Sequence, residues 1–288
     1  MSSDLTISIA LCTFNGKRFL AEQINSILGQ TRKPDEIIVC DDCSSDGSLD
    51  LAEKLLSSGS CIVKSYRNPR NVGYVKNFEQ AISKSSCDIT LMCDQDDIWL
   101  PHKIERIENI FSRNKSVGLV LHNFRKIDQY GADFIEERQE FYGENKLTSL
   151  DLEEDFLKNS ILSMMLPYPR AWYGCMMAFR TRYLPFILPI YPGKGHDDWI
   201  LKLLAPITEV RFVSDPLILY RIHQSNANSH EVGHSALQVR IIKTKRKLTN
   251  ILKGYSKRAF YRSIIKRISD ERCDVLRPEL IEIYSRYL

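Results

Sequence analysis

Short apolar blocks alternate with polar ones over the first 120 residues. Residues 7–12 (ISIALC) form an apolar run, β-branched in part, followed by polar Thr13, Asn15 and Gly16. That pattern predicts a strand running into a loop. From 19 to 28, Leu20, Ile24, Ile27 and Leu28 recur at helical spacing. Pro34-Asp35 marks a loop before a second strand at 36–40 (EIIVC), which enters the polar stretch Asp41-Asp42-Cys43-Ser44-Ser45-Asp46-Gly47. Ser48 is placed to cap a helix over 49–56. A strand at 61–66, an Asn/Pro/Gly loop and a helix over about 75–83 follow. A fourth strand, 89–93 (ITLMC), runs into Asp94-Gln95-Asp96-Asp97. After Pro101, a helix over 103–111 puts Ile104, Ile107 and Phe111 on one face, and 117–122 is a fifth strand.

Strands spaced by helices imply βαβ units and a mostly parallel sheet, an α/β fold. Ligands of such sheets bind outside the carboxyl ends of the strands. Here those ends carry Thr13/Asn15, Asp41/Asp42 and Asp94/Asp96, so three polar clusters are expected to converge on one crevice. Residues 123–215 are less regular. Residues 210–213 and 217–220 predict two short strands around Asp215-Pro216. Residues 236–268 predict one or two basic amphipathic helices, with Leu237, Ile241, Leu248, Ile251 and Leu252 roughly on one side.

Composition narrows the class. With 288 residues, 43% hydrophobic and 26% charged, the chain can bury a sizeable core, which excludes a disordered, collagen-like or disulfide-scaffold protein. No apolar run reaches the ~18–20 residues that span a bilayer. The start, Met-Ser-Ser-Asp-Leu-Thr, lacks the pattern of a secretory signal. A cytoplasmic protein with reduced cysteines is therefore expected. Of eight cysteines, Cys40 and Cys43 have C-x-x-C spacing with no second pair, so a zinc site is not expected. The net charge of +4 conceals a split. Residues 235–288 hold 14 Lys and Arg against 5 Asp and Glu, and the rest of the chain is mildly acidic. The basic tail suggests an anionic partner, either nucleic acid or an acidic membrane surface.

The run 94–97 is the strongest chemical signal. Three carboxylates at a strand end repel one another unless a cation sits among them, and oxygen ligands suit Mg²⁺ or Mn²⁺ shared with a diphosphate. The plainer reading is a solvated loop in which Asp97 caps the next helix. Residues 41–48 can bind a nucleotide, a carboxylate accepting from a pyrimidine ring N–H, or can be simply an Asp/Ser/Gly turn. Neither G-x-G-x-x-G after the first strand nor G-x-x-x-x-G-K-[ST] occurs, so a metal would carry much of the phosphate neutralisation. Trp172, Tyr173 and Trp199 either stack on an acceptor sugar or fill the core. His102, His122, His230 and His234 show no metal-ligand spacing.

An ordered set of motifs over about residues 5–225 resembles the family 2 glycosyltransferases of GT-A fold. The set is Thr13-Phe14-Asn15-Gly16, then 38–47 (IVCDDCSSDG), then Asn71-Val72-Gly73 with Lys76-Asn77. After these come 94–101 (DQDDIWLP), Gly174-Cys175 with Ala178-Phe179, His196-Asp197, and 219–223 (LYRIH). The likeness is greatest to the bacterial branch that builds O-antigen or capsular polysaccharide, including rhamnosyl- and glucosyltransferases. It implies a GT-A domain over 1–225, with a nucleotide-sugar half to about 122 and an acceptor half from 123, and a basic helical extension over 226–288. It also implies a metal-dependent inverting transfer from a UDP- or dTDP-sugar to a saccharide or lipid-diphosphate-linked saccharide, with peripheral membrane contact through 236–268.

Residue by residue, the resemblance puts Asp42 on the base, Thr13 and Asn15 around the nucleotide and Lys76 near it. Asp94 falls near the ribose, Asp96 and His223 on the metal, and Asp197 at the catalytic base. The base motif, often Glu-Asp in the family, reads His196-Asp197-Asp198, which leaves Asp198 as the alternative base. Cys43 stands where Gly or Asn is commoner. A sugar nucleotidyltransferase would carry a Gly-rich basic loop where Cys12-Thr13-Phe14-Asn15-Gly16-Lys17 stands. A nucleic-acid-binding protein would leave the carboxylate clusters unexplained.

Overall fold

The computed structural model describes residues 5–57, 59–133, 172–224 and 257–270. In chain order the elements are β1 (Ile7–Thr13), α1 (Lys17–Leu28), β2 (Glu36–Asp41), α2 (Ser48–Leu56), β3 (Ile62–Arg67), α3 (Tyr74–Ser83), β4 (Ile89–Cys93), β5 (Ile98–Trp99), α4 (Lys103–Arg113) and β6 (Val117–Ile127). A 3-10 turn (Gly174–Met176) then leads into β7 (Met177–Arg180), α5 (Leu184–Ile187), α6 (His196–Leu204), β8 (Glu209–Arg221) and α7 (Lys257–Asp270).

The strands form one sheet in the order β3-β2-β1-β4-β7-β6-β8-β5. β1, β2, β3 and β4 pair in parallel, β7 runs against both β4 and β6, β8 is parallel to β6, and β5 runs against β8. Six strands therefore share one direction, and β5 and β7 oppose it. The carboxyl ends of β1, β2, β4 and β8 open on one edge, and the amino end of β7 meets that same edge. This topology brings Thr13, Asp41, Asp94, Cys175 and His223 to one place from positions far apart in the chain.

The sheet is covered on both faces. Successive strand residues alternate between two apolar clusters: Ile7, Ile9, Leu11, Ile37 and Val39 face one side, and Ala10, Cys12, Ile38 and Cys40 face the other. α1, α2 and α4 cover the first side, and α3, α5, α6 and α7 the second. Double coverage accounts for strands that read as continuous apolar runs.

Three details depart from the sequence expectation. Residues 210–213 and 217–220 belong to one strand, β8, and Pro216 sits opposite Asn123 where the register slips. Proline has no N–H to give the ladder, and the slip accommodates it. Ser48 is the first helical residue of α2 rather than its cap. Gly47 holds that position at φ 83°, and the Asp46 carboxylate accepts from the Ser48 N–H at 3.0 Å. Asp97 does not cap α4, because its carboxylate is turned inward to the Arg221 backbone N–H at 3.1 Å.

α7 buries Phe260, Tyr261, Ile264 and Ile268 against the second apolar cluster and leaves Arg262 and Lys266 exposed. Its apolar face is thus occupied by the protein itself. The rest of the predicted basic helices, the domain boundary near 225, His230 and His234 lie outside the described residues. Among the described residues, no helix is long and apolar enough to cross a membrane.

Candidate functional site

β1 ends in a loop that Gln95 clamps. The Gln95 carbonyl oxygen accepts from Thr13 Oγ1 and from the Phe14 N–H, both at 2.8 Å, and its amide donates to the Phe14 carbonyl at 3.1 Å. Gly16 lies against the same side chain: a Cβ there would fall 1.9 Å from Gln95 Oε1. Asn15 takes φ 47° and its Oδ1 accepts from the Ser45 N–H at 2.9 Å. Sequence reasoning gave Gln95 no role, although it is the middle residue of the acidic motif. Cys43, at φ 63°, sits in the left-handed region that glycine and asparagine favour, so the family's commoner residues have a conformational reason there.

At the end of β2, Asp42 is buried and accepts three hydrogen bonds: from Asn68 Nδ2 at 2.9 Å, the Val72 N–H at 2.8 Å and the Gly73 N–H at 2.8 Å. It thereby holds the Asn71-Val72-Gly73 turn, in which Gly73 adopts φ 86°. Lys76 is half-exposed and paired with Glu79 at 2.6 Å.

The end of β4 is built differently. Asp96 Oδ2 and His223 Nε2 lie 2.9 Å apart. Arg221, buried, donates from Nε to the Asp96 carbonyl at 2.9 Å, pairs with Glu22 and lies 4.8 Å over the Phe19 ring. Burial and the Asp96 charge push the Asp94 carboxyl up to about 7, and burial with Asp96 and Asp94 pushes Asp97 well above the usual carboxylate range. Ligating atoms of Asp94, Asp97 and Cys175 all lie within 4.8 Å of one another. Beneath them Lys103, fully buried, donates from Nζ to the Cys175 carbonyl at 2.9 Å. Sequence reasoning gave neither Lys103 nor Arg221 a role.

The residues here suit a hard divalent cation. Asp96 and His223, already joined by a hydrogen bond at 2.9 Å, bring a carboxylate oxygen and an imidazole nitrogen to one place, both of which could ligate such an ion. The Asp94–Asp97–Cys175 group is less suited as a whole. Burial and the two aspartates raise the Cys175 thiol well above its ordinary value, so it keeps its proton and acts as a donor between the carboxylates. Asp94 is partly exposed, whereas Asp96, Asp97 and Cys175 are buried.

α6 starts at His196, so Asp197 and Asp198 both lie in its first turn. Asp198 is paired with Lys202 at 2.5 Å. Asp197 has its own neighbour's backbone as donor, the Asp198 N–H at 2.8 Å. Burial raises its carboxyl to about 6, and it lies close enough to Asp94 for the two charges to interact. The His196 ring stacks on Phe78 with centroids 4.2 Å apart, and its two nitrogens have no hydrogen-bond partner among the described residues. Burial holds it neutral by lowering it to about 3. Trp199 is core: it is 1% exposed and donates from Nε1 to the Ile187 carbonyl at 2.8 Å. Tyr173 stacks on Tyr220 at 4.8 Å. The structure thus brings Thr13, Asn15, Asp42, Asp94, Asp96, His223 and Asp197 to the same strand-end edge, with Lys76 turned to Glu79.

A sequence model described as "Glycosyl transferase family 2" matches residues 8–165. An uncharacterized glycosyltransferase of Nostoc sp. is 28% identical over 240 residues, 81% of this chain and 69% of its own. A UDP-Glc:alpha-D-GlcNAc-diphosphoundecaprenol beta-1,3-glucosyltransferase of Escherichia coli is 27% identical over 125 residues, 43% of this chain and 48% of its own. Among solved structures, a mannosyltransferase from Pyrobaculum calidifontis in complex with GDP-Man and Mn²⁺ superposes with a TM-score of 0.59 at 14% identity. That match covers 99% of this chain and 69% of the other.

Proposed function

The chain belongs to glycosyl transferase family 2, and we propose that it moves a sugar from a UDP- or dTDP-sugar to a saccharide or lipid-diphosphate-linked saccharide by metal-dependent inverting displacement. It is a glycosyltransferase with a GT-A fold; the donor, the metal, the acceptor and the residue roles are the proposal. The observation that carries it is the meeting, at one edge of the sheet, of the Asp96–His223 pair with Asp94 and a half-buried Asp197 from a separate helix.

Asp42 receives the pyrimidine. A carboxylate offers about four acceptor positions, and three are taken by the protein, so one remains for a ring N–H. Thr13 and Asn15 line the nucleotide pocket, Asp94 faces the ribose, and Lys76 lies outside unless it leaves Glu79. Asp96 and His223 would hold Mg²⁺ or Mn²⁺, which would neutralise charge on the diphosphate. Asp197 takes the proton of the acceptor hydroxyl. The freed oxygen attacks the anomeric carbon from the face opposite the diphosphate, and the electron pair of the broken C–O bond leaves with the nucleotide diphosphate. One such displacement inverts the configuration. A carboxyl near 6 is matched to a base at neutral pH, whereas Asp198 is committed to Lys202.

The E. coli relative acts on a diphosphoundecaprenol-linked sugar, which favours a lipid-linked acceptor in bacterial surface polysaccharide synthesis. Contact with an anionic membrane would then run through exposed cations such as Arg262 and Lys266 rather than through an apolar helix face. The nucleotidyltransferase and nucleic-acid readings find no support in the family match. The test is thermal melting with UDP, dTDP and UDP-glucose, each with and without MnCl₂. A manganese-dependent rise with at least one of them is expected. No response to any nucleotide diphosphate, or full transfer activity in EDTA, would overturn the proposal.

A further inference from the structure

α6 carries Asp197 in its first turn, yet little in its own sequence fixes where that turn sits. Gly195 precedes it, and no side chain caps it. The approach, Pro192-Gly193-Lys194-Gly195, holds Gly193 at φ 86°, and two glycines leave such a segment the widest choice of conformations. Gly195 is required as it stands: a Cβ there would fall 2.2 Å from Asp197 Oδ1. The carboxylate thus folds back over backbone that has no side chain to brace it. What the local sequence leaves open must be set by packing.

Phe260 of α7 supplies that packing. Its ring is 1% exposed and meets residues on both sides of the turn. Before the turn it meets the Tyr191 ring, with centroids 5.3 Å apart, and Lys194, whose Nζ lies 5.3 Å from the ring centroid. Within the helix it meets Trp199 at 5.9 Å and Lys202 Nζ at 5.4 Å. Both lysines are within reach of an aromatic face. Tyr191 and Trp199 stack on each other as well, at 5.8 Å. α7 lies beyond the residues that the family model matches, and its sequence alone shows only a basic amphipathic helix.

We propose that Phe260 is a positioning residue for sugar transfer: it clasps the chain before and after the start of α6 and so sets where Asp197 stands at the strand-end edge. The inference rests on the reading of Asp197 as the base. Phe260 itself meets no substrate. The C-terminal helix is then part of the frame that performs the reaction, in addition to any contact its exposed cations make. A base displaced by ~1 Å can lose about a hundredfold in rate. Nucleotide binding, which draws on the ends of β1, β2 and β4, does not depend on that clasp.

Phe260→Leu and Phe260→Met test this, because each keeps apolar bulk and removes the aromatic face. Ile264→Ala is the control: Ile264 is also fully buried on α7, so its loss weakens the same helix without touching the clasp. Hydrogen exchange, followed by mass spectrometry over residues 196–204, needs neither metal nor donor. The Phe260 variants should exchange there about tenfold faster than wild type at temperatures where all are folded, and Ile264→Ala should not. Transfer from UDP-glucose with MnCl₂ should then fall ~10–100-fold in kcat for the Phe260 variants, with UDP affinity unchanged, and stay near wild type for Ile264→Ala. Unchanged exchange at 196–204, unchanged kcat, or an equal loss of kcat in Ile264→Ala overturns the proposal. So does a chain that folds with Ile264→Ala but with neither Phe260 variant, since the ring would then support the core as a whole. If wild type transfers no sugar, it is the proposed function that fails, and exchange alone decides whether Phe260 holds the start of α6.

Discussion

Asp42 and Asp197 both stand at the strand-end edge and are treated in opposite ways. Asp42 accepts from a side-chain amide and two backbone N–H groups. Nearby Asp46 accepts from the Ser48 and Lys17 N–H groups and the Ser48 hydroxyl. Burial alone would raise Asp46, yet these bonds outweigh it and hold its carboxyl below the usual range. Asp94, Asp97 and Asp197, by contrast, are desolvated with few donors, and all three are pushed upward. The satisfied side acts as scaffold, since each bond fixes a loop. The under-satisfied side stores unfavourable charge, which a metal, a diphosphate or a proton can relieve.

Removing Asp197 tests this contrast most severely. Asp197→Asn should lower transfer by ~10²–10⁴-fold while leaving UDP affinity near wild type. It should also raise the melting temperature at pH 8, since a desolvated charge is lost. The sign follows from the raised carboxyl. The penalty for burying it is full above about 6 and gone below the ordinary value of 3.8. The stabilisation by Asp197→Asn should therefore fade toward pH 4, and wild-type transfer should rise with pH through about 6. Lower stability of the variant at pH 8 would place Asp197 with the scaffold.

Asp42→Ala should do the reverse. It strands the Val72 and Gly73 N–H groups and should lower stability by ~2–3 kcal/mol, read by urea denaturation; an unchanged midpoint would remove Asp42 from the scaffold. Gly16→Ala should be milder, ~1–2 kcal/mol, because Gln95 must give way to the new Cβ, and UDP binding should weaken with it. Asp198→Asn should do least to transfer, with the pH–rate profile kept, although it leaves the buried Lys202 without its carboxylate and should lower stability by ~3–5 kcal/mol. A dead Asp198→Asn enzyme beside an active Asp197→Asn enzyme would exchange the roles of the two.

Much of the fold was legible because the sheet is buried on both faces. β4 spans the same residues, 89–93, that its apolar run marks, and β1 and β2 each end one residue later than expected. The strand-end rule also identified the acidic cluster and the loops that flank it. What pattern could not supply was the partner of each polar group. Asp42 looked free to meet a base, yet loop backbone takes most of its capacity. Gln95 sits between two aspartates and attracts no notice until its amide is seen clamping Phe14. Lys103 reads as the solvated flank of an amphipathic helix, and only the topology of β4, α4 and the turn before β7 encloses it. Asp215-Pro216 signalled a break, because nothing local records that β6 can slip its register to keep β8 whole.

The reversed strand β7 has a consequence for how this enzyme can be remodelled. β6 leaves the sheet at Ile127 and β7 re-enters at Met177, antiparallel neighbours whose intervening chain starts and finishes at the edge that holds Asp94 and Asp197. Their register is fixed by Leu119–Phe179, Val120–Ala178 and Leu121–Met177, well inside the sheet and indifferent to the length of what joins them. The edge is therefore a splice point, where sequence can be exchanged beside the chemistry while the frame that performs it keeps its pairing.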